Sequence, residues 1–394
     1  HLEESGGDGG MMWEIAKLGK IAIIRTGKLD SNAAVIGGRY PFFTCDPNTL
    51  SIDVWAYDTE AVLLAGNNAS GNYTAKYYKG KFNAYQRTYI IESANEEELN
   101  IRYLCYALNQ QLRLLKTMSS GSTTKFLTVR MLDNLDIPLL GINIQTQIVN
   151  ILSAYDDLIE NNQKQIKLLE EAARRLYKEW FVDLRFPGHE NTKIVDGVPE
   201  GWRVASIADI CDTVGGGTPS TKIQSYYEKG DILWVTPTDI TRNFSLALLD
   251  TEKKITPEGL KNSSAKMLPA ETILMTSRAS VGFFGMCKYE VCTNQGFISC
   301  IPKRENLQMY LLFNLKSRVE EIRQKAGGST YLEISKTVFR ELKIILPKDE
   351  VLAEYQKNVH DIFDEIYCRT EMIKSLVDMR NRLLPKLMSG EVEV

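Results

Sequence analysis

Hydrophobic residues recur every three or four positions in two long stretches of the chain, which is the spacing of one face of an α-helix. The second stretch, residues 348–394, keeps this spacing over five heptads, at Leu352, Tyr355, Val359, Ile362, Ile366, Arg369, Ile373, Leu376, Arg380, Leu383 and Leu387. The first, residues 141–185, has it at Ile144, Ile148, Ile151, Tyr155, Leu158, Asn162, Ile166, Leu169, Ala173, Leu176 and Trp180. Because neither stripe is stable in water alone, the pattern predicts two long antiparallel helices packed as a coiled coil. Two successive steps of four at Asn162 predict a local change in winding there.

The regions that precede these helices show the short apolar runs and turn residues typical of strands. The predicted elements of the first region are strands at 42–44, 61–64 and 88–91, turns at 66–68 and 70–72, and a helix from Glu96 to Met118. The second region has a corresponding strand at 234–236 and a helix from Glu305 to Ala326. Each region is therefore predicted to fold as a mixed α/β module.

The two halves of the chain repeat one another. The motif Gly-Ser-Thr at 121–123 returns 207 positions later at 328–330, and Tyr85-Gln86-Arg87 corresponds to Asn294-Gln295-Gly296. The module openings at Trp13 and Trp202 are offset by only 189, so the second copy carries 18 additional residues. A molecule built this way has pseudo-twofold symmetry, which B-form DNA shares.

These patterns predict an α+β protein in which two mixed α/β modules are separated by the two helices. The predicted segments are a polar leader outside the fold at 1–10, the first module at 11–140, the first spacer helix at 141–185, a linker at 186–200, the second module at 201–347 and the second spacer helix at 348–394. The leader precedes Met11 and Met12, which we expect to contain the natural start.

Composition narrows the class of protein. No apolar run approaches the ~18 residues of a membrane span, so no membrane partner is expected. The net charge is −3, yet the two modules carry net charges of +2 and +4, which permits contact with phosphate. Seven scattered cysteines without a Cys-x-x-Cys pair, and only three histidines, indicate a reducing cytoplasm and argue against a zinc or other metal site.

Sequence motifs for catalysis are missing. The chain has no Pro-Pro of a methyltransferase tetrad, no Gly-Lys-Ser/Thr of a nucleotide-binding loop and no His-Glu-x-x-His. The paired carboxylates Asp156-Asp157 and Asp364-Glu365 fall beside the helical stripes, where we expect solvated or salt-bridged helix faces. The sequence therefore indicates a binding protein with no catalytic residue and no cofactor of its own.

The ordered set of short motifs resembles the DNA-specificity subunit of type I restriction–modification systems. The motifs are Trp-x-x-x-x-Ile/Leu at each module start, Gly-Gly-Gly-Thr-Pro-Ser-Thr at 215–221, the two Gly-Ser-Thr motifs, Gln-Ile-Val-Asn-Ile-Leu-Ser at 147–153, Leu-Tyr-Lys-Glu-Trp-Phe-Val-Asp at 176–183 and Leu-Leu-Pro-Lys-Leu-Met-Ser-Gly-Glu at 383–391. The resemblance extends over residues 13–394.

This resemblance implies a function for each part. Each module would be a target-recognition domain that reads one half of a split sequence in double-stranded DNA. The helices would set the gap between the halves and dock two methyltransferase subunits, which would carry S-adenosylmethionine. Motor–nuclease subunits would join that core.

Residues that contact DNA are expected on loops and basic segments of the modules. In the first module the candidates are Asn67, Asn68, Lys76, Lys79, Lys81 and Arg87, the lysines belonging to a basic aromatic stretch at 76–82. An exposed hairpin with solubilising lysines is the alternative for that stretch. In the second module they are Thr218, Ser220, Thr221, Lys222, Arg242, Asn243, Arg278 and Lys288. The alternatives there are a tight glycine turn without a ligand at 215–217 and a structural salt bridge for Arg278.

Other functions remain open at this point. One is a non-enzymatic coiled-coil scaffold whose modules bind protein or sugar, and another is a DNA enzyme with an unrecognised catalytic centre. For Trp180 and Phe181, packing beneath a module is the favoured interpretation and an interface with the methyltransferase is the alternative.

Overall fold

The computed structural model describes residues 14–46, 48–68, 73–118, 125–328 and 332–392. The side chains of 68, 113–118, 125 and 126 are not among the described parts. The leader, Trp13, the predicted turn at 70–72 and most of both Gly-Ser-Thr motifs therefore lie outside the described residues. The chain divides into two compact units, His1–Leu158 with Leu376–Val394, and Ile159–Ser375. The predicted segment boundaries stay a prediction.

The first unit contains the first module. Its strands are β1 (Glu14–Lys17), β2 (Ala22–Thr26), β3 (Tyr40–Phe43), β4 (Leu50–Ile52), β5 (Tyr57–Ala65), β6 (Asn67–Asn68), β7 (Ala75–Ala84), β8 (Thr88–Ser93), β9 (Lys125–Phe126) and β10 (Asp136–Leu139). Its helices are α1 (Leu18–Ile21), α2 (Ile101–Met118), α3 (Val129–Asp133) and the beginning of α4 (Ile142–Tyr177), with a 3-10 turn at Ser31–Ala33.

The second unit contains the second module. Its strands are β11 (Ile194–Val195), β12 (Val198–Pro199), β13 (Arg203–Ser206), β14 (Cys211–Val214), β15 (Ile232–Val235), β16 (Lys254–Ile255), β17 (Ile273–Thr276), β18 (Phe284–Gly285), β19 (Cys292–Thr293), β20 (Phe297–Pro302) and β21 (Lys343–Leu346). Its helices are α5 (Ile207–Ile210), α6 (Pro237–Thr241), α7 (Pro257–Lys261), α8 (Gln308–Ser317), α9 (Val319–Gln324), α10 (Lys336–Arg340) and most of α11 (Asp349–Ser389), with a π turn at Lys178–Val182 and 3-10 turns at His189–Asn191, Gln224–Tyr226 and Glu305–Leu307.

A six-stranded sheet in the order β2-β8-β5-β7-β3-β4 forms the centre of the first module. One face contributes Val62 and Leu64 to a large core that also holds Leu104 and Leu108 of α2. The opposite face contributes a smaller cluster around Phe43, Leu63, Phe82 and Ile90. Because strand side chains alternate between faces, β5 serves both clusters.

The second module distributes the equivalent strands over separate sheets. A four-stranded sheet has the order β14-β20-β17-β18, and a three-stranded sheet has the order β16-β15-β19. In the first module β7 joins the corresponding strands into one sheet, since it pairs with β5 along one edge and with β3 along the other. In the second module β18 and β19 make these two pairings separately.

Two helices differ from their predicted bounds: one begins later, and the other is interrupted. The helix predicted from Glu96 begins at Ile101, because the side-chain oxygen of Asn100 accepts hydrogen bonds from the backbone N–H groups of Arg102 and Tyr103. Such an asparagine is a favoured N-cap. The helix predicted over 305–326 is a 3-10 turn and two helices that break at Arg318, whose guanidinium bonds Glu321 and the Lys343 carbonyl oxygen.

Burial along α4 corrects the predicted stripe at two positions. Ile151 and Leu158 are exposed at 36% and 49%, whereas the adjacent Leu152 and Ile159 are buried. With Ile159 in place of Leu158, the buried stripe reaches Asn162 by a step of three and leaves it by a step of four, so its spacing does not itself indicate a change in winding there. Both sites are pairs of adjacent apolar residues, and periodicity alone does not say which member of such a pair is buried.

Polar contacts join the two long helices inside each unit. In the first unit Arg380 Nη1 lies 2.5 Å from Asp156 Oδ1, and the Tyr106 hydroxyl donates to the other oxygen of the same carboxylate. In the second unit the buried Asn162 accepts a 3.1 Å hydrogen bond from Arg369. The expectation of a salt-bridged helix face at Asp156 is confirmed.

An aromatic cluster surrounds the end of α4 in the second unit. Phe181 packs edge-on against Tyr310 and Tyr355, with ring centroids 4.7 and 4.8 Å apart, and Trp180 lies 5.7 Å from Tyr355. Packing inside the unit therefore accounts for Trp180, which is buried, as the favoured sequence interpretation predicts. The linker contributes a two-stranded hairpin, in which Asp196 and Gly197 adopt the positive φ that such a turn requires.

Candidate nucleic-acid interface

Several segments of the first module meet around a surface cleft of about 390 Å³. The segments are the end of β2, the residues that follow β5, the turn between β7 and β8, and the residue after β9. The lining residues are Thr26, Gly66, Asn67, Gln86, Arg87, Tyr89 and Leu127. Two sequence candidates, Asn67 and Arg87, thus lie together, while the side chain of Asn68 is outside the described part.

Backbone hydrogen bonds hold the walls of this cleft. The Gly66 N–H donates to the Arg87 carbonyl oxygen at 2.8 Å, and the Leu127 N–H donates to the Gly66 carbonyl oxygen at 2.8 Å. The Tyr89 hydroxyl donates to the Leu127 carbonyl oxygen at 2.7 Å. The side chains of Gln86 and Arg87 make none of these bonds and are exposed.

The lysines at 76–81 lie on one arm of the hairpin that β5 and β7 form within the central sheet. They belong to the single ten-residue strand β7, where Lys76 is opposite Leu63 and Lys79 is opposite Glu60. Residues three apart on a strand point to opposite faces, so Lys76 and Lys79 face different sides of the sheet. One surface of the sheet cannot present both to the same ligand.

Each of these lysines has a local partner. Lys79 Nζ lies 2.7 Å from Glu60 Oε2, and this hydrogen bond raises the pKa of the ammonium. Burial lowers the pKa of Lys76, which donates to the Thr49 hydroxyl at 3.3 Å. Lys81 Nζ lies over the Trp55 ring, 4.7 Å from its centroid. These contacts account for the lysines structurally.

A second cleft, of about 410 Å³, lies in the second module. Its lining residues are Pro237, Thr238, Thr241, Arg278, Ala279, Ser280, Asn294, Gln295 and Gly296. Of the sequence candidates it contains Arg278, and Thr218 reaches its edge because the Thr218 hydroxyl donates to Gln295 Oε1. Arg278 also lies 3.6 Å from Glu333, a half-exposed pair that is of small energetic weight.

The glycines at 215–217 do not form a tight turn. None of the three has a positive φ, and the Gly217 N–H already donates to the Thr293 carbonyl oxygen at 2.9 Å. Glycine is needed at 216 because the backbone passes close to this oxygen. A Cβ on Gly216 would lie 2.1 Å from it. The exposed Ser220, Thr221 and Lys222 follow in a separate turn.

The remaining candidates of the second module lie elsewhere. Arg242 and Asn243 line a depression of about 350 Å³ beside α11. The Asn243 amide donates to the Ser245 and Ala247 carbonyl oxygens, and Arg242 is 3.9 Å from Glu252. Lys288 packs on α11, where it lies 2.6 Å from Asp364 Oδ1. This carboxylate raises the Lys288 pKa, although partial burial opposes the shift.

Metal-ligating residue types come together at one place among the described residues. Ligand atoms of Glu271, His360 and Asp364 lie within 4.8 Å of one another. However, His360 Nε2 faces Glu271 at 3.0 Å, its Nδ1 faces Asp364 at 3.4 Å, and Lys288 pairs with Asp364. These contacts give each of the three side chains a partner within the protein, and the expectation of no metal site stays a prediction.

The glutamines of both clefts were missed by motif reasoning. Gln86 and Gln295 line the two clefts and occupy corresponding positions of the internal repeat. The repeat alignment contains this pair, so polar residues shared at matching turns were the available signal. Among the described helices, none is both long enough and apolar enough to cross a membrane.

Comparison with known proteins places the chain in a family. The family described as the type I restriction modification DNA specificity domain matches residues 11–171 and again residues 199–377. The MjaIX specificity subunit of Methanocaldococcus jannaschii, a type I restriction enzyme subunit, is 38% identical over 173 residues, which cover 43% of this chain and 39% of that protein. The EcoDI specificity subunit of Escherichia coli is 26% identical over 382 residues, covering 89% of this chain and 81% of the relative.

A solved structure shares the fold. The crystal structure of the type I restriction–modification S subunit from M. genitalium aligns with a TM-score of 0.58 at 17% identity, over 95% of this chain and 96% of that one. The chain spans about two fifths of the length of the first relative above and about four fifths of the second. The twofold match over most of its length shows that the chain belongs to the family of type I restriction–modification DNA specificity domains.

Proposed function

We propose that this chain is the sequence-reading subunit of a type I restriction–modification enzyme and that it recognises a split target in double-stranded DNA. The observation that carries the proposal is the twofold family match, which assigns one DNA specificity domain to each module. The curated relatives bear the name of specificity subunits of such enzymes. A scaffold with protein- or sugar-binding modules is not favoured by these matches.

In this proposal each module reads one half of the target. Candidate contacts are the described site residues of the two clefts together with the basic residues around them. Phosphate contacts from lysine and arginine would position the duplex, and side chains that reach base edges would supply sequence preference. The chain itself would carry no catalytic residue, and S-adenosylmethionine would bind to the partner methyltransferase.

The two long helices have a proposed role of their own. We infer that α4 and α11 pair as an antiparallel coiled coil, that their length sets the number of base pairs between the half-sites, and that they dock two methyltransferase subunits and the motor–nuclease subunits. Support comes from the contacts between the two helices inside each unit, namely Asp156 with Arg380 and Asn162 with Arg369.

A matched insertion in both helices tests this role. One heptad inserted after Leu158 and one after Ser375 lengthens each helix by about 10.5 Å. Because successive base pairs are 3.4 Å apart, the gap in the methylated motif is expected to grow by about three base pairs while both half-sites stay the same. Methylome sequencing of a host that expresses the complete system gives the motif.

The control insertion uses the hairpin turn of the linker. Seven residues placed between Asp196 and Gly197 lie outside both long helices and are expected to leave the gap unchanged. An unchanged gap in the helix variant, with methylation retained, contradicts the spacer role. A wild-type system that methylates no bipartite motif contradicts the proposed function as a whole.

A further inference from the structure

The clefts of the two modules are built by corresponding residues. In the first module the Gly66 N–H donates to the Arg87 carbonyl oxygen, and in the second the Ser277 N–H donates to the Gly296 carbonyl oxygen, both at 2.8 Å. Arg87 and Gly296 are matching positions of the repeat. Gly66 and Ser277 both follow the central strand of their sheet, β5 or β17.

A second hydrogen bond is repeated as well. The Leu127 N–H donates to the Gly66 carbonyl oxygen at 2.8 Å, and the Ile334 N–H donates to the Ser277 carbonyl oxygen at 3.1 Å. The two donors are 207 positions apart, as are the Gly-Ser-Thr motifs. The same main-chain frame therefore surrounds each cleft, although the side chains that line the clefts differ.

A glycine closes each frame on one side. A Cβ on Gly27 would lie 2.2 Å from the Ala84 carbonyl oxygen, and a Cβ on Gly216 would lie 2.1 Å from the Thr293 carbonyl oxygen. The two glycines are 189 positions apart, which is the offset of the module openings. In each module this glycine lies in the segment that follows β2 or β14. Only glycine allows that segment to pass so close to the turn that carries Gln86 or Gln295.

The glutamine of each turn is exposed, and its amide is held by that passing segment. Gln86 Nε2 donates to Asp30 Oδ1 at 2.9 Å, and Gln295 Oε1 accepts from the Thr218 hydroxyl. A carboxylate only accepts hydrogen bonds, so Asp30 fixes the orientation of the Gln86 amide. That orientation leaves Oε1 and the second N–H of Gln86 directed away from Asp30.

Such an amide matches one base edge in particular. A glutamine that accepts with its oxygen and donates with its nitrogen pairs bidentately with N6 and N7 of adenine in the major groove. Beside it the first cleft offers Asn67 and Arg87, and the second offers Asn294 and Arg278. Each cleft thus combines amides with a guanidinium, the groups that pair with adenine and guanine respectively.

We propose that the two corresponding clefts are the base-reading sites of the modules and that Gln86 and Gln295 each read an A·T pair in their own half-site. The proposal rests on the proposed function and assigns it to particular side chains. The arginines supply the neighbouring contact. Three other basic candidates lie outside the lining of both clefts, namely Lys222, Arg242 and Lys288. Any contact that they make with DNA is assigned to phosphate.

The test compares single-residue variants in the complete system, with its methyltransferase and motor–nuclease subunits. Methylome sequencing gives the motif for wild type, for Gln86→Ala and for Gln295→Ala. Loss of one bidentate contact reduces discrimination at one base pair by roughly 5- to 150-fold. We expect one A·T position of one half-site to relax in Gln86→Ala, and one A·T position of the other half-site to relax in Gln295→Ala.

The variants carry their own controls. In each, the half-site read by the unaltered module must stay as in wild type, which also shows that the enzyme is assembled. Gln324→Ala removes an exposed glutamine of α9 that lies outside the cleft and is expected to leave both half-sites unchanged. Gln86→Met and Gln295→Met keep the length of the side chain without its hydrogen bonds and are expected to match the alanine variants.

Three results overturn the assignment. They are an unchanged motif in both alanine variants, a change in both half-sites from one variant, and a uniform fall in methylation without any change in sequence preference. All three presuppose a bipartite wild-type motif, so they are distinguishable from failure of the proposed function.

Discussion

The two modules differ most where they form the same cleft. In the first, β7 is one strand of ten residues that joins β5 and β3 into a single sheet. In the second, the matching segment is interrupted after Gly285 and resumes at Cys292 as two strands of two residues each. Yet the main-chain hydrogen bonds of Gly66 in the first module and of Ser277 in the second correspond to one another.

This difference shows which part of the module is constrained. Strand length and sheet continuity have changed between the copies, whereas the points at which strands end and turn have not. Main-chain bonds to Gly66 and Ser277 do not depend on the side chains of the strands, so the strands can diverge while the cleft is kept. Residues that line the cleft are then free to differ, as sequence recognition requires.

The largest expected effect compares how much one buried side chain, at matching positions of the two modules, contributes to the stability of its own module. Phe82 of β7 is fully buried against Phe43, Tyr57 and Tyr78, and its counterpart in the second module is the buried Val291. Phe82→Ala is expected to destabilise the first module by about 3–5 kcal/mol, and Val291→Ala the second by about 2 kcal/mol.

Hydrogen–deuterium exchange of the full chain measures these effects separately in β5 and β17. Exchange of β17 in Phe82→Ala, and of β5 in Val291→Ala, serves as the control and is expected to match wild type. Equal losses of protection at the two sites would show that the aromatic cluster adds nothing to the first module.

The next effect tests the shared frame. Gly27→Ala and Gly216→Ala each drive a methyl group to within about 2.2 Å of a backbone oxygen. Because the clash is the same in both modules, both variants are expected to lose about 1–3 kcal/mol in the free energy of local unfolding. Gly327→Ala, whose Cβ would meet no atom within 4 Å and whose φ is not positive, is the control and is expected to be neutral. Thermal unfolding of the full chain measures the stability of all three variants. If Gly216→Ala is neutral, only the first module needs glycine where the backbone segments pass close together.

The smallest effect concerns two lysines at matching positions, Lys79 and Lys288. Lys288 is partly buried against Asp364 and Tyr367, whereas Lys79 pairs with Glu60 in solvent. Lys288→Met is expected to cost about 0.5–1 kcal/mol, and Lys79→Met is expected to change nothing measurable.

The Lys288 contribution has a defined pH dependence. The folded state raises the pKa of this ammonium above its ordinary value, so the stabilisation is complete below the unfolded pKa and is lost as pH rises through the folded one. The difference between wild type and Lys288→Met in urea unfolding should therefore shrink above about pH 10.4. A difference that stays constant through that range would show that packing on Tyr367, and not charge, stabilises the contact.

Much of the architecture could be read from the sequence. Hydrophobic periodicity, which is a local property of the chain, predicts the strands around 61–64 and 88–91 and the positions of both long helices. Matching short motifs reveal the internal repeat. The errors in helix bounds lie where a distant residue adds to the local signals. Gln145 of α4 accepts from the Asn100 N–H beside the start of α2, and Arg318 bonds the Lys343 carbonyl oxygen where the predicted helix breaks.

The candidate site was harder to predict. Asn67, Arg87 and Arg278 line the clefts, and Thr218 reaches one edge. The lysines of β7 were grouped by charge, although Lys76 and Lys79 face opposite sides of the sheet. Charge composition carries no information about the face on which a side chain lies until the strand and its partners are known.

The order of residues alone determined that this chain repeats one plan, that each copy ends in a long amphipathic helix, and which family it resembles. All three depend on the order of residue types within short segments, and the repeat is seen by comparing such segments along the chain. Tertiary structure alone decided which of two adjacent apolar residues a helix buries, as at Leu152 and Ile159, and which turn residues share a cleft. Those outcomes depend on packing and hydrogen bonds between segments 20 to 200 residues apart, as in the bonds of Gly66 with Arg87 and Leu127, and no local pattern encodes them.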